Sequence, residues 1–476
     1  MTSDPARAGD HRLPRYHVRP RTGYVNDPNG PLYVDSRWHL YFQYTHDTPR
    51  RGAVVWGHAS SADLVRWRLH RPAMSPDPSG ADRDGCWSGN TVLIDGEVTA
   101  FYSGYRREHP YQSVLSATSV DGGNSFGPPR QVVADPDPSD GVVVFRDPFV
   151  WREAGVWLMV VGAGDAADRA SARLYESADL QSWKYRGPFA ELPRTRSDDL
   201  DSGQMWECPQ FIAFGQRGCL LVAAYDVSGG IMHVLAVTGE RDEFRLRDTT
   251  LSRVDDGSNF YAASALRESD VGPVIWGWAT EGRSADWAAE DDWSGMLTLP
   301  RSVSLTDDGR LASAPLPGLT SLREAAAGAR TGTDEGRRTF RGLPAQFEAE
   351  LLLAAHRGTD LEPTRLSLRC GPEERLDVAA DWRTGRVTVD RDRASRDPRA
   401  HGGSYSFDEP QISASGTLAL RWFVDGSISE LFTGSGRCST VRFYPTSPPP
   451  WDLELSGLTS DDSVEVWPLS AAVATG

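Results

Sequence analysis

Asp27, Asp147 and Glu207 are the residues of this chain whose types and neighbours best suit chemistry. They stand in Asn26-Asp27-Pro28-Asn29-Gly30, Phe145-Arg146-Asp147-Pro148 and Trp206-Glu207-Cys208-Pro209, so each carboxylate has a turn-forming residue close by. The intervals, 147 − 27 = 120 and 207 − 147 = 60 residues, are too long for one helix or hairpin to bridge. Only a closed tertiary fold could bring the three together. Converged, they would supply one carboxylate as nucleophile or base, one carboxylic acid to protonate a departing oxygen, and a third polar group to hold a sugar, which is the equipment for cleaving a glycosidic bond. The apolar neighbours of Glu207, namely Trp206, Cys208, Pro209 and Phe211, favour the protonated form of a carboxyl and so suit a general acid. In the first cluster, Pro28 and the Asn29-Gly30 turn are expected to hold Asp27 at the end of a strand. Cys208 has no activating histidine nearby in sequence and reads as a small buried side chain, not a nucleophile.

The elements that must position these groups repeat. Ser-Ala-Asp63-Leu-Val-Arg-Trp67 recurs as Ser-Val-Asp121-Gly-Gly-Asn-Ser-Phe126, as Ser-Ala-Asp179-Leu-Gln-Ser-Trp183, and loosely around Asp242 and Phe244. Strand-like apolar runs at 40–44, 100–105, 156–161, 220–225 and 274–278 keep the same rhythm, which makes five units. Five such units closing on themselves would form a five-bladed β-propeller whose central funnel collects one strand end per blade. The repeated Asp reads as a turn residue that caps the backbone, and the aromatic after it as packing between units. From 312 to 336 the pattern weakens into a linker with a short helix around 322–327. Alternating strands such as 346–352, 418–424 and 428–432 beyond it read as a β-sandwich. The expected fold is therefore all-β, with a five-bladed β-propeller over 13–311, a linker over 312–336 and a sandwich over 337–474.

Bulk properties narrow the partners. A net charge of −16 argues against nucleic acid or an anionic membrane as partner and makes a neutral ligand the easier expectation. Residues 1–21 hold no apolar run of signal-peptide length, and five scattered cysteines without a Cys-x-x-Cys pair fit reduced thiols, so the expected location is cytoplasmic. No phosphate-cradling glycine loop, His-Glu-x-x-His or ordered His/Cys cluster is present, and neither metal nor cofactor is expected. The acidic runs Asp198-Asp199-Leu200-Asp201 and Glu290-Asp291-Asp292 read as solvated loops that could rim a pocket.

With their order and spacing, the three clusters resemble glycoside hydrolase family 32, the invertase, inulinase and levanase family. Tyr41-Phe42-Gln43-Tyr44, Trp56-Gly57-His58-Ala59, Trp87-Ser88-Gly89, Asn259-Phe260-Tyr261-Ala262, Gly295 to Arg301, and Phe423-Val424-Asp425-Gly426-Ser427 add to the resemblance, which covers most of the chain. The resemblance implies a propeller followed by a sandwich. It implies Asp27 as nucleophile, Glu207 as acid/base, and Asp147 with Arg146 as the grip on fructose hydroxyls. It places Asn26, Gln43, Trp56, Trp87, Ser88 and Trp278 around the sugar, a residue mixture that suits hydroxyls and ring faces. The implied activity is a retaining β-fructofuranosidase acting on sucrose or short fructo-oligosaccharides, with a carbohydrate as the small-molecule partner. Sucrose 6-phosphate hydrolysis, fructosyl transfer with the same acids, and a non-catalytic sugar-binding role are the alternatives. Arg106-Arg107 is the sequence feature that would favour a phosphorylated sugar. The sandwich is expected to support the propeller or to mediate self-association into a homo-oligomer.

Overall fold

The computed structural model describes residues 9–475 apart from 110, 134, 135, 137, 198, 199, 243, 332–335 and 355–361. Asp198 and Asp199 of the first acidic run, and part of the expected linker, lie outside the described residues. The chain is all-β, and the described residues include only two short α-helices, Ala285–Asp291 and Pro410–Ser415.

Five sheets, each built on antiparallel neighbours in sequence, follow one another through the first two thirds of the chain. Their first strands are Gly23–Val34, Gly85–Ile94, Val142–Glu153, Met205–Phe214 and Tyr261–Leu266. Each of these strands contacts the first strand of the next sheet, and Tyr261–Leu266 returns to contact Gly23–Val34. The first strands thus line a closed ring. Apolar side chains pack between the sheets, as where Trp151, Phe189 and Phe211 meet with ring centroids 5.0 to 5.9 Å apart. The repeated Asp does what its turn chemistry predicts. At the end of the third strand of three sheets, Asp63, Asp121 and Asp179 each accept from a serine hydroxyl two residues earlier and from backbone N–H groups just ahead.

The prolines beside the carboxylates do not end strands. Each first strand runs on through its cluster and slips register there against the second strand: after Val25, after Cys86, at Asp147, after Glu207 and after Tyr261. These are β-bulges, where the extra residue re-aims a side chain out of the sheet and a proline's missing N–H leaves no ladder bond unmade. Asp147 and Cys208 adopt left-handed backbone, with φ of 66° and 47°. Close packing between neighbouring sheets demands glycine beside two of these sites. A Cβ on Gly30, where φ is 44°, would lie 2.7 Å from the Thr91 methyl, and one on Gly162 would lie 2.1 Å from the Trp206 carbonyl oxygen.

The remaining chain forms a seven-stranded and a five-stranded sheet enclosing a separate apolar core that includes Phe347, Leu366, Trp422 and Trp451. The strand Leu311–Pro315 belongs to the fifth sheet, and the expected helix around 322–327 is instead a 3-10 turn over Pro317–Leu322, started by Pro317. The last strand, Val473–Thr475, returns to pair in parallel with Trp67–Leu69 of the first sheet.

Candidate active site

The five bulges deliver their side chains to one end of the ring. There a cavity of about 250 Å³ is lined by Asp27, Glu207, Arg146, Trp87, Trp278 and Tyr261, among others. Larger cavities of about 800, 560 and 520 Å³ lie elsewhere, and none of them contains the three clustered carboxylates. Chemistry, not size, marks the smaller one.

Asp27 is held from three directions. Asn26 Nδ2 donates to its Oδ1 at 3.2 Å, while Gln43 Nε2 and Ser88 Oγ donate to its Oδ2 at 3.0 and 2.6 Å. Asn26 Nδ2 also donates to Gln43 Oε1 at 2.8 Å, and Gln43 donates to Ser88, so the three polar groups brace one another. A carboxylate fixed in this way keeps one orientation toward the cavity, which is what an attacking oxygen requires. Its pKa is raised above the ordinary range, first by burial and then by the nearby charge of Glu207, with the Ser88 hydrogen bond opposing.

Glu207 meets a different environment from the one its sequence neighbours suggest. Arg146 Nε and Nη2 both donate to Oε1, at 2.9 and 2.7 Å, and the Tyr261 hydroxyl donates to Oε2 at 2.6 Å. The apolar neighbours Trp206 and Phe211 turn inward to the core behind it instead. Alternation along a strand sends successive side chains to opposite faces, so sequence neighbours are not spatial neighbours. The Tyr261 hydroxyl also lies 3.0 Å from the Ala224 carbonyl. When Oε2 carries a proton, the phenol oxygen can accept a hydrogen bond from it and turn its own hydrogen to the Ala224 carbonyl.

Asp147 sits deeper. Its left-handed backbone is pinned by its N–H donating to Ser103 Oγ at 2.7 Å, and its Oδ2 accepts from the Cys208 N–H at 3.0 Å. Burial, with the charges of Glu207 and Asp27 adding to it and Arg146 opposing, pushes its pKa up to about 7. Cys208 Sγ lies 3.7 Å from Asp27 Oδ2 and 3.6 Å from Asp147 Oδ2. Burial and these carboxylates push the thiol's pKa well up, which removes it as a thiolate nucleophile. Among the described residues Arg146 is the guanidinium in ion-pair contact with these carboxylates, while Arg51 lines the cavity and lowers the Asp27 pKa from further away.

Comparison with known proteins places this geometry. The chain matches the Glycosyl hydrolases family 32 N-terminal domain over residues 17–315 and the Glycosyl hydrolases family 32 C terminal over 319–468. It belongs to glycoside hydrolase family 32. A raffinose invertase of Escherichia coli is 30% identical over 457 residues, spanning 92% of this chain and 91% of the relative. A sucrose-6-phosphate hydrolase of Zymomonas mobilis is 30% identical over 446 residues, spanning 88% and 84%. The Bombyx mori family 32 β-fructofuranosidase, solved as a mutant in complex with sucrose, superposes with a TM-score of 0.79 at 25% identity over 98% of this chain and 96% of that one.

The structure sorts the residues that the family 32 resemblance singled out. Asn26, Asp27, Trp87, Arg146, Glu207 and Trp278 line the cavity, Gln43 and Ser88 stand behind them bonded to Asp27, and Asp147 sits deeper, bonded to the Cys208 N–H. Trp56 does not line it. Fully buried against Tyr41, Tyr102 and Phe126, it donates through Nε1 to the Trp87 carbonyl at 3.0 Å and so supports the neighbouring wall. Arg106 and Arg107 also lie outside the lining. Sequence reading passed over Tyr24, Arg51, Gln112, Tyr225 and Tyr261 as site residues. The position of Tyr261 at the start of the fifth first strand, in register with the other clusters of the repeat, was the signal that could have found it.

Proposed function

We propose that this family 32 glycoside hydrolase is a retaining β-fructofuranosidase that releases terminal non-reducing β-D-fructofuranosyl units from sucrose or short fructo-oligosaccharides. The observation that carries the reading is the meeting of Asp27 and Glu207 in one tryptophan-walled cavity, one carboxylate braced by amides and a hydroxyl, the other by a guanidinium and a phenol. The names of the invertase and β-fructofuranosidase relatives support the fructosyl assignment.

In this reading Asp27 attacks the anomeric carbon of the fructosyl unit. The bond from that carbon to the leaving oxygen breaks as the oxygen takes the proton of Glu207, leaving a fructosyl ester on Asp27. Glu207, now ionised, takes a proton from water, whose oxygen attacks the same carbon and expels Asp27. Two inversions restore the original configuration. Asp147 holds fructose hydroxyls while positive charge develops at the anomeric centre, and Arg146 steadies Glu207. Trp87 and Trp278 offer ring faces, with Trp87 stacked on Tyr105 at a centroid distance of 4.1 Å and so fixed in its plane. We read the closed ring of five sheets as a five-bladed propeller that ends with the strand Leu311–Pro315, a few residues past the expected boundary at 311, joined by a linker to a sandwich over 337–474. The succession of first-strand contacts around the ring supports the blade count.

The test is an assay on sucrose, sucrose 6-phosphate, 1-kestose, inulin and levan, with the configuration of released fructose followed by NMR. Fructose released from sucrose or 1-kestose as the β-anomer is the expected result. Failure on all five substrates, or release as the α-anomer, would overturn the reading.

A further inference from the structure

Three residues that line the catalytic cavity each carry a buried polar atom that is unpaired among the described residues: Asn26 Oδ1, Trp278 Nε1 and Gln112 Oε1. The first two belong to residues already assigned to the fructosyl unit. Gln112 belongs to no assigned role, and the residue is 4% exposed. A buried amide oxygen without a donor is destabilising unless something else completes it, and a cavity that admits a sugar offers hydroxyl donors.

The position of Gln112 says which part of the substrate it meets. The nucleophile is braced from the first and second sheets by Asn26, Gln43 and Ser88. Gln112, just before the strand Ser113–Ser119, is anchored elsewhere. Its backbone N–H donates at 3.0 Å to the carbonyl of Phe145, the residue preceding Arg146, whose guanidinium grips Glu207. Gln112 is therefore fixed to the acid/base side of the cavity. The oxygen that Glu207 protonates belongs to the leaving group, so the space on that side is filled by whatever the fructosyl unit departs from. Val144 and Ile231, which also line the cavity, supply the apolar surface against which a sugar's C–H face can pack.

We propose that Gln112 is a specificity residue for the leaving group: its amide accepts a hydrogen bond from a hydroxyl of a neutral sugar bonded to the fructosyl unit. An amide carries both an acceptor and a donor, so it can read two adjacent hydroxyls of a glucosyl or fructosyl leaving group. A leaving group without hydroxyls offers the Gln112 amide no such partner.

This inference rests on the fructosidase reading, and one experiment separates the two. Wild type and Gln112→Met are compared on sucrose and on p-nitrophenyl β-D-fructofuranoside, whose leaving group has no sugar hydroxyls. Methionine keeps the length and shape of glutamine and removes its hydrogen-bonding atoms. The ratio of kcat/KM for sucrose to kcat/KM for the aryl fructoside is expected to fall about tenfold, the worth of one hydrogen bond to a neutral group. The melting temperature is expected to hold or rise, because the variant also removes a buried unpaired oxygen. Gln112→Asn, which keeps the amide one methylene short, should fall between the two and provides the same comparison if the methionine variant folds poorly. A ratio within twofold of wild type, or a lowered melting temperature with both substrates slowed equally, would overturn the assignment and make Gln112 structural. Wild type inert on both substrates would overturn the fructosidase reading, and the assignment with it.

Discussion

Two places in this molecule bury three carboxylates together, and they differ in what surrounds them. At the junction between the fifth sheet and the C-terminal sheets, Asp255, Asp425 and Glu430 meet Arg301 and His17. Glu430 accepts from His17 Nε2 at 2.9 Å, Arg301 Nη2 at 2.7 Å and the Leu299 N–H at 2.7 Å, and Asp425 accepts from His17 Nδ1 and from the N–H groups of Arg15 and Tyr16. At the catalytic end, among the described residues only Arg146 lies within ion-pair distance of Asp147 and Glu207, and none lies within it of Asp27. The consequences run in opposite directions. Burial works against charge in both places, but at the junction the partners outweigh it, so the pKa of Glu430 falls below the ordinary range and that of His17 rises above it. At the catalytic end burial wins, and Asp27 and Asp147 rise. A fully partnered cluster holds structure, and an under-partnered one is held ready to exchange protons and bind positive charge.

The largest effect that would break this comparison is a reversal of roles. Asp27→Asn is expected to lower kcat by on the order of 10⁴-fold or more while the protein unfolds at the same temperature or a higher one, since the change relieves buried charge. Glu430→Gln should do the converse: a loss of about 3 to 5 kcal/mol in stability from stranding Arg301 and His17, with kcat per folded molecule near wild type. Denaturant unfolding and active-site-normalised kinetics read both.

The next effect is in Ser88→Ala. The Ser88 hydroxyl bonds to Asp27 and holds its pKa below where burial alone would place it, so the acid limb of kcat/KM should move to higher pH, with a fall of about 10- to 100-fold at the plateau. An unmoved acid limb would mean that another group sets it.

Stability against pH sharpens the comparison further. Asp147 has a folded pKa of about 7 against an ordinary 3.8, so the folded state holds an extra proton in that window and stability falls as pH rises through it. Asp147→Asn should flatten the slope of melting temperature between about pH 4 and 7. The raised pKa of His17 acts at higher pH: its contribution is full below about 6.5 and is lost as pH rises through the folded value, in the variant as in wild type. Glu430, with its lowered pKa, contributes above about 4.5 and loses that contribution as pH falls through its folded value. The smallest effect belongs to neither cluster. Asp63→Ala removes a turn cap from the repeated element and should cost about 0.5 to 2 kcal/mol with activity unchanged.

The same contrast explains what the sequence could convey. Asp27, Asp147 and Glu207 were legible because each sits in a local cluster of unusual composition, and the Asp turns were legible because their hydrogen bonds span only a few residues. The bulges were not, since a bulge is set by the register of a partner strand and leaves only a proline or glycine as its mark. The junction was not legible as a network: Arg301 and Asp425 stand in two of the family motifs, but His17 and Asp425 are 425 − 17 = 408 residues apart and nothing local joins them. Trp56 shows the limit from the other side, a motif tryptophan that the fold uses to hold up Trp87 instead of placing it in the cavity wall.

The central claim, that Asp27 forms the bond to the sugar while Glu207 moves protons, is tested most directly by trapping the intermediate. In Glu207→Gln, β-D-fructofuranosyl fluoride supplies a leaving group that needs no acid, and water then lacks its base, so a fructosyl ester should accumulate. Peptide mass spectrometry is expected to find the adduct on the peptide carrying Asp27. An adduct on Asp147 or another residue, or steady fluoride release with no adduct and an inverted product, would contradict the account.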